Sequence, residues 1–151
     1  MHTVLIALHA LAGTVAFASG VTALRRRAWF AAYYWSMVAM ATSVAAAVAV
    51  AWTGLETVTR LVFAGLLGLA AVMVWRAELA RRLLVSGSYP SPAAVGHVGF
   101  TLVGLADAFV VVTVLNLGAP GLVVAAVAVL VAGTGHVAVG RARQTPIRAR
   151  S

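Results

Sequence analysis

Five apolar stretches follow one another along this chain, each long enough at 1.5 Å per residue to cross a hydrocarbon core of roughly 30 Å, and almost all of the charge lies in the short segments between them. Few folds can accommodate that arrangement. With 63% hydrophobic and 9% charged residues among 151, and a mean hydropathy of +1.03, a water-soluble domain of this size would lack the polar surface to cover itself. Lipid removes the difficulty, and in lipid a helix satisfies its backbone hydrogen bonds within its own span. The expected fold is an all-α integral membrane protein, a bundle of about five transmembrane helices forming a single domain over 1–140, followed by a basic tail over 141–151.

Breaks in the apolar pattern set the expected helices at about 3–24, 29–52, 57–84, 93–117 and 120–140. Arg25, Arg26 and Arg27 end the first, and Thr53 and Gly54 end the second. The second opens on Trp29, Phe30, Tyr33, Tyr34 and Trp35, residues suited to an interfacial belt of amphipathic rings. The third is longer than the core needs, and its end, with Arg76, Glu78, Arg81 and Arg82, reads as a helix emerging among headgroups, where arginines snorkel. Ser86 to Pro92, with three glycine or proline breakers and three serines, is the clearest loop, and Pro120 suits the first turn of the last helix. Ala16, Phe17 and Ala18 before Ser19 resemble a signal-peptide cleavage site, but the start has no positive segment and the arginines follow the apolar run, so a retained first helix is expected.

Ten of the eleven arginines fall on one side of this topology and only Arg60 on the other. The positive-inside rule then places the amino terminus outside and the carboxyl tail in the cytoplasm, in a multi-pass protein of a cytoplasmic membrane. The net charge of +8 is thus a topology signal. Without a basic face interleaved with aromatics, nucleic acid is not an expected partner. Membrane lipids are, together with further copies of the chain or other membrane subunits. Cysteine and lysine are both absent, which excludes disulfides, thiolate chemistry and Schiff bases. No zinc helix, nucleophile elbow or phosphate loop is present, and three acidic residues leave few actors for acid–base catalysis, so no catalytic residue is assigned.

Small residues at helical spacing let helices approach closely in lipid. His9, Gly13, Ala16 and Gly20 form such a stripe on the first helix, and Gly121, Ala125, Ala128, Ala132 and Gly135 another on the fifth. There is no repeat of 20 to 50 residues, only the echo of Gly96-His97-Val98 in Gly135-His136-Val137.

Ionisable groups within a bilayer cost several kcal/mol unless paired or hydrated, which makes each a functional candidate. His97 and His136 each lie about five residues from the arginine-rich side, on antiparallel helices, and are expected at one level. Two imidazoles so placed can ligate a b-type haem axially, with Arg76 pairing a propionate and Gly99, Gly104, Gly133 and Gly140 leaving room for the macrocycle. The plainer reading has the same rings hydrogen-bonding to neighbouring helices or interfacial water. A second group, His9 with Asp107, and Glu56 with Arg60, lies toward the other side. It suits proton or cation transfer, or else a polar clamp between helices. The functional readings left open are a haem or other redox-cofactor protein, a proton-coupled transport or accessory protein, and a structural subunit of a membrane complex.

His9-Ala10-Leu11-Ala12-Gly13, with Gly20 and the arginines behind it, resembles the first helix of a family of small bacterial membrane proteins without an assigned function. The stretch from His97 through Asp107-Ala108-Phe109 to Asn116 is similar to a later helix of that family. The resemblance implies a polytopic bacterial membrane protein and no particular activity. Members often carry a histidine leading into the second helix, where this chain has Ala28 to Tyr33, so a shared histidine site would be incomplete here.

Overall fold

A computed structural model describes residues 2–54 and 56–144. It is 89% helix, with no strand among the described residues. The five helices are α1 (His2–Ala23), α2 (Phe30–Ala51), α3 (Thr57–Val85), α4 (Pro92–Asn116) and α5 (Gly121–Gln144), with short 3-10 turns at Arg27–Trp29 and Trp52–Gly54. Among the described residues, four stretches are long and apolar enough to cross a membrane, namely Arg27–Gly54, Phe63–Val85, Pro92–Val114 and Leu122–Gln144. The apolar part of α1, Ala7–Ala23, is shorter. By contact the chain divides into two compact units, Met1–Glu78 and Leu79–Ser151.

In the first unit, α1 and α2 form an antiparallel hairpin. Ala16, Ser19, Gly20 and Ala23 of α1 are buried, as are Phe30, Tyr33, Met37, Met40, Ala47 and Val48 of α2. The 3-4-3 spacing from Phe30 to Met40 is that of a narrow knobs-into-holes seam. It claims two of the five aromatics expected in the interfacial belt: Phe30 and Tyr33 pack edge to face at 5.4 Å, while Trp29 and Trp35 remain exposed. Thr14, Thr22 and Thr42 return their hydroxyls to carbonyls one turn back, as do Thr113 and Thr134 in the other unit, so these groups are satisfied within their own helices.

α3 runs for 29 residues, roughly 43 Å, and so outruns the hydrocarbon core as expected. Ala70, Met73, Ala77 and Ala80 form its buried stripe. Its end is a Schellman motif: Ser88 N–H donates to Leu83 O and Gly87 N–H to Leu84 O, with Gly87 at φ +77°. Gly118, at φ +76°, ends α4 with the comparable bond from Ala119 N–H to Val114 O. Ser91 Oγ caps α4 by accepting from Ala94 N–H, and Pro92 takes the first helical position. Between α3 and α4, burial pushes the Tyr89 phenol up to about 12 from the ordinary 10.0. Unfolding therefore releases a proton between those values, so this contribution to stability is complete below pH 10 and fades as the pH climbs toward 12. Tyr89→Phe should flatten that part of an alkaline unfolding curve followed by circular dichroism in detergent.

The second unit pairs α4 with α5. Side chains set the register: a Cβ on Gly99 would meet Val139 at 2.7 Å, one on Gly135 would meet Val103 at 2.5 Å, and one on Gly96 would meet the Arg143 side chain at 3.0 Å. The half-buried face of α5 is Val124, Ala128, Val131, Gly135 and Val139, whereas Ala125 and Ala132 are exposed. The expected small-residue stripe is thus rotated by about one residue, with valines filling the holes that glycines leave. α5 also continues through Arg141 and Arg143 to Gln144, where a tail was expected. Ala142, Arg143 and Gln144 are good helix formers, and the arginines complement the carbonyl end of the helix dipole. The rest of the expected tail, 145–151, lies outside the described residues.

Candidate functional site

The intramembrane polar residues sort themselves by unit. In the first, His9 on α1 is half-buried with Nδ1 3.2 Å from the carbonyl oxygen of Met40 on α2. A carbonyl only accepts, so Nδ1 carries the hydrogen in this bond. Met40 O also accepts from Ser43 Oγ at 2.9 Å. His9 therefore ties α1 to α2 through the backbone of Met40.

Arg60, expected beside Glu56, turns instead to the end of the preceding helix. Its Nε donates to Trp52 O at 3.2 Å and Nη2 to Thr53 O at 3.4 Å, with the guanidinium 6.0 Å from the Trp52 ring centre. These carbonyls close α2 and its 3-10 turn, so the arginine neutralises a helix carboxyl end and stacks on an aromatic face. Glu56 is exposed, and among the described residues no ion pair joins it to Arg60. Arg76 is half-buried on the same helix, α3.

In the second unit, the α4–α5 register separates the two histidines. One residue on from Gly96, His97 falls opposite about Arg141 or Ala142, and one residue on from Gly135, His136 falls opposite about Leu102. The two rings therefore stand about five residues, or roughly 8 Å, apart along the helix axes rather than at one level. The expectation of a common depth took α5 to end at Gly140, whereas the helix runs on to Gln144 and the facing residues are set by the glycine–valine contacts. His136 is exposed and His97 half-buried. Of the glycines expected to leave room, Gly99 is filled against by Val139, while Gly133 and Gly140 face open space.

Asp107 lies in the apolar run of α4, eight residues before Leu115 closes it, and its Oδ1 is buried with no hydrogen-bond partner among the described residues. Buried polar atoms nearly always find partners, because an unmet one costs about 1–3 kcal/mol. Its sequence signal, a lone acid flanked by Ala106 and Ala108, was clear, but the orphaned oxygen was not readable from it. Among the described residues no three His, Cys, Asp or Glu side chains gather as a metal site would require.

Among the described residues, an all-helical fold with four helices long and apolar enough to cross a membrane, and a few polar side chains set along its helices, is that of a multi-pass membrane protein. No family model, no curated protein and no solved structure matches the chain, so the resemblance carried by the His9 and Asp107 segments rests on those residues alone.

Proposed function

We propose that this protein crosses a bacterial cytoplasmic membrane five times, amino terminus outside and arginine-rich end in the cytoplasm, and that it works in proton or cation transfer with Asp107 as the group that takes up and releases the ion. The arginine bias of ten to one supports the orientation. The observation that carries the functional reading is the buried, unpartnered Asp107 Oδ1. An acid held in an apolar helix without a donor is a standing cost, and intramembrane acids of this kind mark ion paths and proton relays. His9 acts in this reading as the tie that holds α1 on α2, through Met40 O.

Purified protein in liposomes containing a pH-sensitive dye tests it. Under an imposed potential, wild type should carry protons or a monovalent cation and Asp107→Asn should not. Equal flux in both would remove Asp107 from the path.

The rival proposal is a b-type haem held by His97 and His136 with Arg76. It draws less support, because an axial pair needs both rings at one level and the α4–α5 seam is occupied by Val103 and Val139. Visible spectra of protein expressed with ample haem separate the two readings. A Soret band lost in His97→Ala or His136→Ala would replace proton transfer with cofactor binding.

A further inference from the structure

The first unit bears a groove that neither polar group uses. It is open, about 770 Å³ in volume, and runs beside the α1–α2 seam between Leu11 and Val15 on one wall and Ala32, Trp35 and Ala39 on the other. Thr42 and Ser43, at its far end, turn their hydroxyls to backbone carbonyls, so that end offers no free hydroxyl donor. Farther along the same side of α1, toward its carboxyl end, lies a smaller cleft of about 350 Å³ formed by Val21, Thr22, Arg25 and Arg26. Leu8, Leu11, Val15 and Thr22 succeed one another at three-, four- and seven-residue steps, which aligns them along one face of α1, and Arg25 and Arg26 follow in the turn just beyond its end.

We propose that groove and cleft together hold one anionic phospholipid, with an acyl chain along the groove and the phosphate at Arg25 and Arg26. Length and charge both select this occupant. Along α2 the groove extends from Ala31 to Ser43, roughly 18 Å, close to the 15 Å or so of hydrocarbon in one leaflet. A partner transmembrane helix would need a track across both leaflets. The groove begins at the end where the arginines lie, which is where a headgroup sits, and guanidinium groups bind phosphate by paired hydrogen bonds. Trp35, 65% exposed in the groove wall, is a built-in reporter of what lies there.

The test uses the full chain with Trp29→Phe, Trp52→Phe and Trp75→Phe, leaving Trp35 as the only indole, in phosphatidylcholine vesicles containing a small fraction of lipid with brominated chains. Brominated phosphatidylglycerol should quench Trp35 at least about fivefold more effectively than brominated phosphatidylcholine, the attraction of a single well-placed arginine. Arg25→Gln with Arg26→Gln should bring the ratio to one. Ala39→Phe, which fills the groove and leaves the arginines in place, should abolish the preference as well. Equal quenching by the two lipids in the parent protein overturns the proposal. So does a preference that survives Ala39→Phe, which is only a diffuse halo of anionic lipid around basic residues. Quenching by both lipids below their mole fraction would show a protein partner in the groove instead.

Discussion

Asp107→Leu is expected to make the protein more stable, by about 2–3 kcal/mol, while ending its ion transfer. On insertion scales an acid near the centre of a spanning helix costs about 2.5–3.5 kcal/mol, and leucine is mildly favourable. Asp107 lies off centre in the Pro92–Val114 span, which lowers its share of that cost. Its Oδ1 has no described partner, so no hydrogen bond is lost to offset the gain. Asn at the same position keeps two polar groups in place and should be nearly neutral in stability. Unfolding of wild type and both variants in mixed micelles by sodium dodecyl sulfate, run beside the liposome flux assay, reads the two quantities separately. A gain in stability joined to loss of flux marks a residue kept for function at the expense of stability. Destabilisation by leucine would mean that Asp107 is a polar clamp between helices, and the proton reading would fall with it.

The course of the backbone is largely legible in the sequence. Arginine clusters, Gly87, Gly118, Pro92 and Pro120 mark helix ends through charge and through conformations that few residues adopt, and these are local effects. The seam on α2 was legible too, in the spacing of Phe30, Tyr33, Met37 and Met40, but an interfacial role for aromatics obscured it. Hydropathy cannot separate lipid-facing from helix-facing residues when lipid tails are as apolar as the seam.

For the same reason the α5 stripe is displaced by about one residue, since Val124 and Val131 share the half-buried face with Ala128 and Gly135, and Val139 sits in the space that Gly99 leaves. Depth was the harder quantity. Counting inward from the arginines put His97 and His136 level, and the actual facing residues depend on how Gly99 and Gly135 accept Val139 and Val103. That is a pairwise property of two helices and has no trace in either alone. The bonds of His9 to Met40 O and of Arg60 to Trp52 O were hidden likewise, because a backbone carbonyl is an acceptor that every residue carries.

The glycines of α5 allow a test of that seam in which the sign of the effect is the result. A Cβ on Gly135 would lie 2.5 and 2.6 Å from the two Cγ atoms of Val103, closer than real Cβ atoms approach anything, and valine cannot swing aside because its branched Cβ restricts χ1. Gly135→Ala must therefore push α4 and α5 apart, and an overpacked seam costs about 1–3 kcal/mol. Lipid offers no hydrophobic transfer term to soften the loss, since packing itself is what joins helices there. Gly133, two residues away, faces open space. Gly133→Ala relieves only the backbone entropy of glycine in a helix and should stabilise by about 0.5 kcal/mol. Gly135→Ala combined with Val103→Ala should recover most of the loss, giving a coupling that neither single change shows. If both glycine variants shift unfolding in the same direction, the α4–α5 register is wrong, and with it the separation in depth between His97 and His136.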